Sequence, residues 1–219
     1  YSIVATVLGV VVMAMLAYPL SRPNYKYKKI ATFFIFFTML FSGGLIPTYI
    51  WITRYLHLGD TIWVYILPCL VNAFHVIVIR SFFQGLPQAL MESAKIDGAS
   101  ELQTFFKIVM PLSKPVIATI SLLTLLSRWN DWNTALIYIK SSNLYSLQYL
   151  LQKILREAEF VKNMAESSPV AGVDLDLSNL PSVTIRFAMC MVAAGPMLII
   201  FPFFQKYFAK GLTVGAVKG

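Results

Sequence analysis

Glu92-Ser93-Ala94-Lys95-Ile96-Asp97-Gly98-Ala99, carried on to Ile108-Val109-Met110-Pro111, is a polar, charged stretch set between long apolar runs. In a membrane protein such a segment lies in water at one face of the bilayer, free to touch a soluble partner. Its local signals predict two short helices separated by a turn. Pro87 suits a first helical position, where its missing N–H has no intrahelical acceptor to lose. Gly98 suits the residue just past a helix end. Ser100 offers a new N-cap, and Gln103 three residues on completes a capping box. The second helix is expected to run out before Pro111, because the residue preceding a proline is pushed out of the helical region. Asp97 resists a purely structural account, since a carboxylate in the last turn of a helix opposes its dipole.

The surroundings of this stretch set the class of protein. Of 219 residues, 58% are hydrophobic and only 13% charged, with a mean hydropathy of +0.68. Soluble domains run at roughly 45–50% apolar and about 25% charged. Five runs approach the ~20 residues that cross ~30 Å of hydrocarbon as a helix: Ser2–Leu20, Ile30–Ile52, Thr61–Ile79, Pro115–Ile139 and Ser182–Phe204. Helices are the expected form, because hydrocarbon leaves no partner for unpaired backbone groups and the runs lack a barrel's alternation. The expected fold is an all-α, polytopic helical bundle, a single domain over residues 1–219. Residues 81–114 form a cytoplasmic loop, 140–181 an external loop with an amphipathic helix, and 205–219 a cytoplasmic tail. The chain opens without Met inside an apolar run, so at least one further span is expected before residue 1.

Charge orients the bundle. The loop 21–29, the loop 80–114 and the segment after Phe204 together carry eleven basic residues against three acids, Glu92, Asp97 and Glu101. The opposite loops hold six basic residues and seven acids. Positive residues favour the cytoplasm, which places the docking segment and the C-terminus inside. This asymmetry accounts for the net charge of +8 without a nucleic-acid partner. Cys69 and Cys190 fall in apolar runs and read as small hydrophobes; His57 and His75 are isolated and read as structural. No phosphate-cradling loop, nucleophile–base pair or metal spacing is present, so the chain is not expected to be an enzyme.

Polar residues recur where they are costly. Ser127-Arg128-Trp129-Asn130-Asp131-Trp132-Asn133-Thr134 closes the outer half of the fourth run. A charge at mid-bilayer costs about 2.5–3.5 kcal/mol on insertion scales and less toward the interface. Helical spacing pairs Arg128 with Asp131 and puts Trp129 with Trp132, and Asn130 with Asn133, on neighbouring stripes. Two readings stand: an aromatic belt with solvated neighbours, or a surface offering flat apolar faces and amides to a sugar. Arg186 is expected to snorkel to the outer interface. Leu147, Leu150, Leu151, Ile154 and Leu155 form a helical apolar stripe in the external loop.

The segment around Glu92 resembles the EAA loop of the membrane subunits of bacterial ABC importers. Glu92, Ala94, Asp97, Gly98, Ala99, Ile108 and Pro111 match the pattern; Ser93 and Met110 depart from it mildly. Trp129-Asn130-Asp131-Trp132 is similar to an element of the carbohydrate-uptake branch. Gly43-Gly44-Leu45-Ile46-Pro47, which ends the second run with a Gly-Pro break, and the terminus Lys210–Gly219 resemble the same branch, which commonly has six spans. The resemblance implies a permease subunit that forms half of a sugar path and docks an ATPase through Glu92, Ser93, Ala94, Asp97, Gly98, Ala99, Ile108 and Pro111. It implies that Arg128, Trp129, Asn130, Asp131, Trp132 and Asn133 face the path. The implied partners are a second permease, two ATP-binding subunits, an extracytoplasmic sugar-binding protein and membrane lipid. ATP and Mg would be used by the ATPase subunits, with no cofactor on this chain and no metal site. The implied location is the bacterial cytoplasmic membrane. A non-sugar cargo is the first alternative, and an ion-coupled secondary transporter the second.

Overall fold

A computed structural model describes residues 1–167 and 183–216, and every described element is helical. Helix α1 (Ser2–Ser21) is the central rod. It buries Ala5, Thr6, Gly9, Ala14 and Ala17 while Ile3, Val7, Leu8 and Leu16 stand exposed. The small residues of the buried face let neighbouring backbones approach closely, while bulky apolar side chains on the other face stand outward, as expected of a rod in lipid. At Gly9 a Cβ would meet the Leu70 carbonyl oxygen at 3.2 Å.

Around α1 pack α4 (Ala73–Gln84) and α8 (Lys114–Trp129). Met13, Ala17 and Leu20 join Ile79, Phe83, Phe105, Val109 and Ile120 in one inner core. A smaller outer core gathers Ile52, Val64, Tyr65, Ala135 and Ile139. Tyr1 stacks on Tyr65 at 4.4 Å, tying the start of α1 to it.

The second run departs from the expected single rod. Helix α2 (Lys28–Leu40) and α3 (Leu45–Ile50), which continues as a π turn over Trp51–Tyr55, meet at 112°. Gly43 and Gly44 supply the break, with Gly44 at φ +86°, a region that favours glycine. The third run begins as 3₁₀ turns at Ile62–Tyr65 and Leu67–Cys69, then bends by 45° into α4. Pro68 cannot donate an N–H there, and Asn72 caps α4 by accepting from the His75 amide (3.1 Å). Among the described residues, two helical segments, α1 and Phe187–Phe204, are long and apolar enough to cross a membrane alone; counting the two bent pairs above and a third, Glu101–Leu112 with Lys114–Trp129, as one crossing each raises the number to five.

At the outer end, Asp60 joins two loops. Its amide donates to the Tyr138 carbonyl (2.9 Å). Its carboxylate accepts from the Lys140 and Ser141 amides (2.9 Å each) and the Ser141 hydroxyl (2.6 Å). These bonds hold the Asp60 carboxyl below the usual carboxylate range, the Ser141 hydroxyl contributing most.

Helix α5 (Gln88–Ile96), α6 (Glu101–Thr104) and α7 (Met110–Leu112) form the segment before α8. Helix α9 (Asn133–Tyr138) follows α8, and α10 (Leu147–Ser167) is the amphipathic helix expected there. Helix α11 (Val183–Ala216) packs on α8 and α10. It stays helical to Ala216, so most of the expected tail continues the last rod. The remainder of the external loop, 168–182, and residues 217–219 lie outside the described residues.

Candidate functional site

Two places carry the predicted residues. The first is an elbow at residues 87–113. Pro87 is the residue before α5 rather than its first helical one, with an extended backbone (ψ 120°). The helix ends in a Schellman motif: the Ala99 amide donates to Ala94 O (2.9 Å) and the Gly98 amide to Lys95 O (3.2 Å). Gly98 takes the left-handed conformation this motif requires, at φ +77°. Ser100 and Gln103 then form the reciprocal capping box, at 2.9 and 3.2 Å.

The helix does not stop before Pro111. It passes from α6 through a π turn, Phe105–Val109, into α7 and ends at Ser113. The widened turn relieves the clash a proline ring makes with the preceding turn. At Ser113 the chain bends by 81° into α8. The Ser113 side chain is fully buried there and its hydroxyl has no hydrogen-bond partner among the described residues.

Exposure divides the predicted docking residues. Glu92, Ser93, Asp97, Gly98 and Pro111 are exposed, Ala99 and Ile108 are half-buried, and Ala94 is buried. Neither Glu92 nor Asp97 makes an ion pair with a described residue, and between them Ile96 stands 86% exposed. Ile96 therefore projects as an apolar knob between two carboxylates that make no ion pair among the described residues.

A clamp ties the elbow to α1. The Tyr18 hydroxyl donates to Glu101 Oε2 (2.7 Å), and Arg22 pairs with Glu101 at 4.0 Å. The Arg22 guanidinium also donates to Tyr18 and to the Met91 sulfur. Displacing the elbow therefore pulls on the central rod. None of these four residues was singled out from sequence, because they come from three distant segments.

The second place is the outer end of α8. Arg128 and Asp131 pair at 3.7 Å, as their spacing predicts. The two Trp and two Asn stripes do not form, because α8 stops at Trp129. Asp131 accepts from the Thr134 amide (3.0 Å) and hydroxyl (2.7 Å) and so starts α9; a short polar side chain that bonds nearby backbone competes with continued helix. Trp129 donates its indole N–H to Ala193 O of α11 (2.8 Å). Arg128 also donates to Cys69 Sγ. Trp132 lies beneath the Arg156 guanidinium at 5.1 Å, and Asn133 is exposed.

Only Asn130 of the six reaches the cavity of about 540 Å³ between α8, α10 and α11. Gln148 and Gln152 join it there, among Leu and Met side chains. Sequence reading missed both glutamines; their spacing of four on the face of α10 was the available signal. Of the two histidines, His75 Nδ1 lies 3.4 Å from the Thr124 hydroxyl, and His57 takes a positive φ of 52° in the turn before Asp60.

Comparison with known proteins fits this geometry. Residues 2–214 match the family model described as the binding-protein-dependent transport system inner membrane component. The chain belongs to that family. This permease is 40% identical to the polygalacturonan/rhamnogalacturonan transport system permease protein of Bacillus subtilis (strain 168), over all of this chain and 74% of that one. It is 34% identical to the arabinooligosaccharides transport system permease protein of the same organism, over 98% and 69% of the two chains. Among solved structures, a bacterial ABC transporter involved in the import of the acidic polysaccharide alginate matches 94% of this chain and 72% of its own, at 32% identity and a TM-score of 0.77. The permease is a membrane component of a transporter and not an enzyme.

Proposed function

We propose that this permease forms one half of the translocation path of an ATP-driven importer for oligosaccharides, acidic ones foremost. The observation that carries the cargo is the 40% identity, over the whole chain, to a polygalacturonan/rhamnogalacturonan permease. The amides of Asn130, Gln148 and Gln152 suit sugar hydroxyls. Arg156, exposed and without an ion pair to a described residue, puts a cation at the same end of the bundle, where a carboxylate would be drawn. A second permease would complete the path, and an extracytoplasmic binding protein would deliver the sugar.

The same proposal assigns five crossings to the visible chain: α1, the α2–α3 pair, the 3₁₀ turns with α4, α8 with α9, and α11. The eleven basic residues of the loops 21–29 and 80–114 and the segment after Phe204 favour a cytoplasmic location for α5 and the C-terminus. There α5 is the coupling helix. Two ATPase subunits, which use ATP and Mg, would dock beneath the permease pair, one on the knob of Ile96 with Glu92 and Asp97. ATP can bias a membrane equilibrium only through contacts that differ between its two states. The elbow supplies such a contact, and the Tyr18–Glu101–Arg22 clamp carries its displacement to α1.

Uptake of a labelled oligogalacturonide by the assembled complex tests the cargo, with a neutral arabino-oligosaccharide as comparison. Preference for the acidic sugar supports the reading; equal indifference to both overturns it. A non-sugar cargo is the second reading, favoured by the mainly leucine and methionine walls of the cavity. Retained ATP-dependent uptake after deletion of Glu92–Ala99 would reject the coupling role.

A further inference from the structure

Helix α2 buries none of its thirteen residues, yet it walls a groove of about 1050 Å³ against the Arg80 end of α4. One end of the groove holds three cations, Lys28, Lys29 and Arg80; the rest is Phe33, Phe37 and Leu40 with their apolar neighbours. None of the three cations makes an ion pair with a described residue. Arg80 Nε donates to the Leu20 carbonyl (3.1 Å), which holds the side chain at the groove mouth and leaves the rest of the guanidinium available. Two lysines in the first turn of a helix also work against its dipole, a cost that a bound anion reverses.

The shape is that of a headgroup and a tail. Phe33 to Phe41 covers about 12 Å along a helix rising ~1.5 Å per residue. One leaflet's hydrocarbon is roughly 15 Å deep, half of the ~30 Å core. A charged end one leaflet away from an aromatic end fits one amphiphile standing upright.

We infer that this groove is a site for an anionic phospholipid, its phosphate held by Lys28, Lys29 and Arg80 and one acyl chain lying along the phenylalanines of α2. The occupant is a lipid rather than a soluble phosphate because the apolar stripe continues from the cations without a break. On the orientation proposed above, the site lies in the cytoplasmic leaflet, although binding itself does not depend on that orientation.

The test is native mass spectrometry of the purified importer complex titrated with phosphatidylglycerol or with phosphatidylcholine of the same chains. The wild type is expected to prefer phosphatidylglycerol. Each cation near an anionic headgroup is worth about fivefold, the equivalent of ~1 kcal/mol, so Lys28→Gln with Lys29→Gln should erase about 25-fold of that preference. Lys28→Arg with Lys29→Arg should keep it, and Lys26→Gln, outside the groove in the same loop, should not change it. No preference in the wild type overturns the site. So does an equal loss in Lys26→Gln, which would mark general surface attraction. If the double glutamine variant keeps its lipid and sheds the second membrane subunit, the groove is a subunit interface and the inference is wrong.

Discussion

The elbow at residues 87–113 and the turn at residues 128–134 are both polar insertions in an apolar chain, but they spend their polar groups differently. In the elbow, the helix ends are closed locally: the end of α5 by the backbone-to-backbone Schellman bonds, and the start of α6 by the two side chain–backbone bonds of the Ser100–Gln103 box. That leaves Glu92 and Asp97 exposed and unpaired. In the outer turn, side chains are consumed inside the chain. Arg128 is held by Asp131 and Cys69, Asp131 also by Thr134, and Trp129 by Ala193. One region leaves its charges at the surface, without an ion pair among the described residues. The other is built to hold a helix break in place, with Asn130 as its contribution to the cavity.

The sharpest way to break this contrast is at Gly98. No atom lies within 4 Å of a Cβ placed there, so a substitution is resisted by backbone alone. Gly98→Val should impose about 1–3 kcal/mol of strain and distort the surface that carries Ile96. ATP-dependent uptake is expected to fall at least about tenfold, since 1.4 kcal/mol is a tenfold change in an equilibrium. Gly98→Asn, which tolerates the left-handed region better, should keep most of it. Equal activity in all three forms would show that this turn transmits nothing.

The second test separates the two roles inside the outer turn. Trp129→Ala removes a half-buried indole and its bond between α8 and α11, and should destabilise the assembled complex by about 3 kcal/mol, read as a lower melting temperature. Asn130→Ala should leave melting within about 0.5 kcal/mol, the usual range for such a surface change, and lower uptake by about tenfold through loss of one hydrogen bond to a cargo hydroxyl, worth about 1.5 kcal/mol. If both variants lose uptake only in proportion to stability, the turn is structural throughout.

The same contrast explains what could be read from sequence. The elbow's signals are local. Gly98, Ser100 and Gln103 declare their roles within a few residues, and the structure agrees with each. Pro111 misled because a π turn at Phe105–Val109 absorbs it, a device no short pattern announces. The outer turn looked helical because Arg128 and Asp131 do pair at the predicted spacing. That pair forms across the helix end, where Asp131 also caps α9, so one correct contact concealed a break. The clamp of Tyr18, Arg22 and Glu101 was illegible because its members meet only after α1 and the elbow pack. The bend at Gly43–Gly44 was legible as a break, but its 112° angle depends on how α2 and α3 pack.

The smallest expected effect lies at the periphery of the outer turn, in the Asp60 knot. A carboxyl whose folded pKa is depressed stabilises the fold above its unfolded pKa, about 3.9, and loses that contribution as pH falls through the lower folded value. The knot should therefore hold at neutral pH and loosen only in acid below about pH 4. Hydrogen exchange at the Lys140 and Ser141 amides reads it directly: protection should decline with acidification in the wild type and stay independent of pH in Asp60→Asn, whose amide oxygen still accepts but does not titrate in this range. Because these bonds join only two neighbouring loops, the change should remain local, with no shift in elbow protection at Ala99. Coupled loss at both ends would mean that the two regions form one cooperative unit, joined through α1, and that the division drawn between them is too sharp.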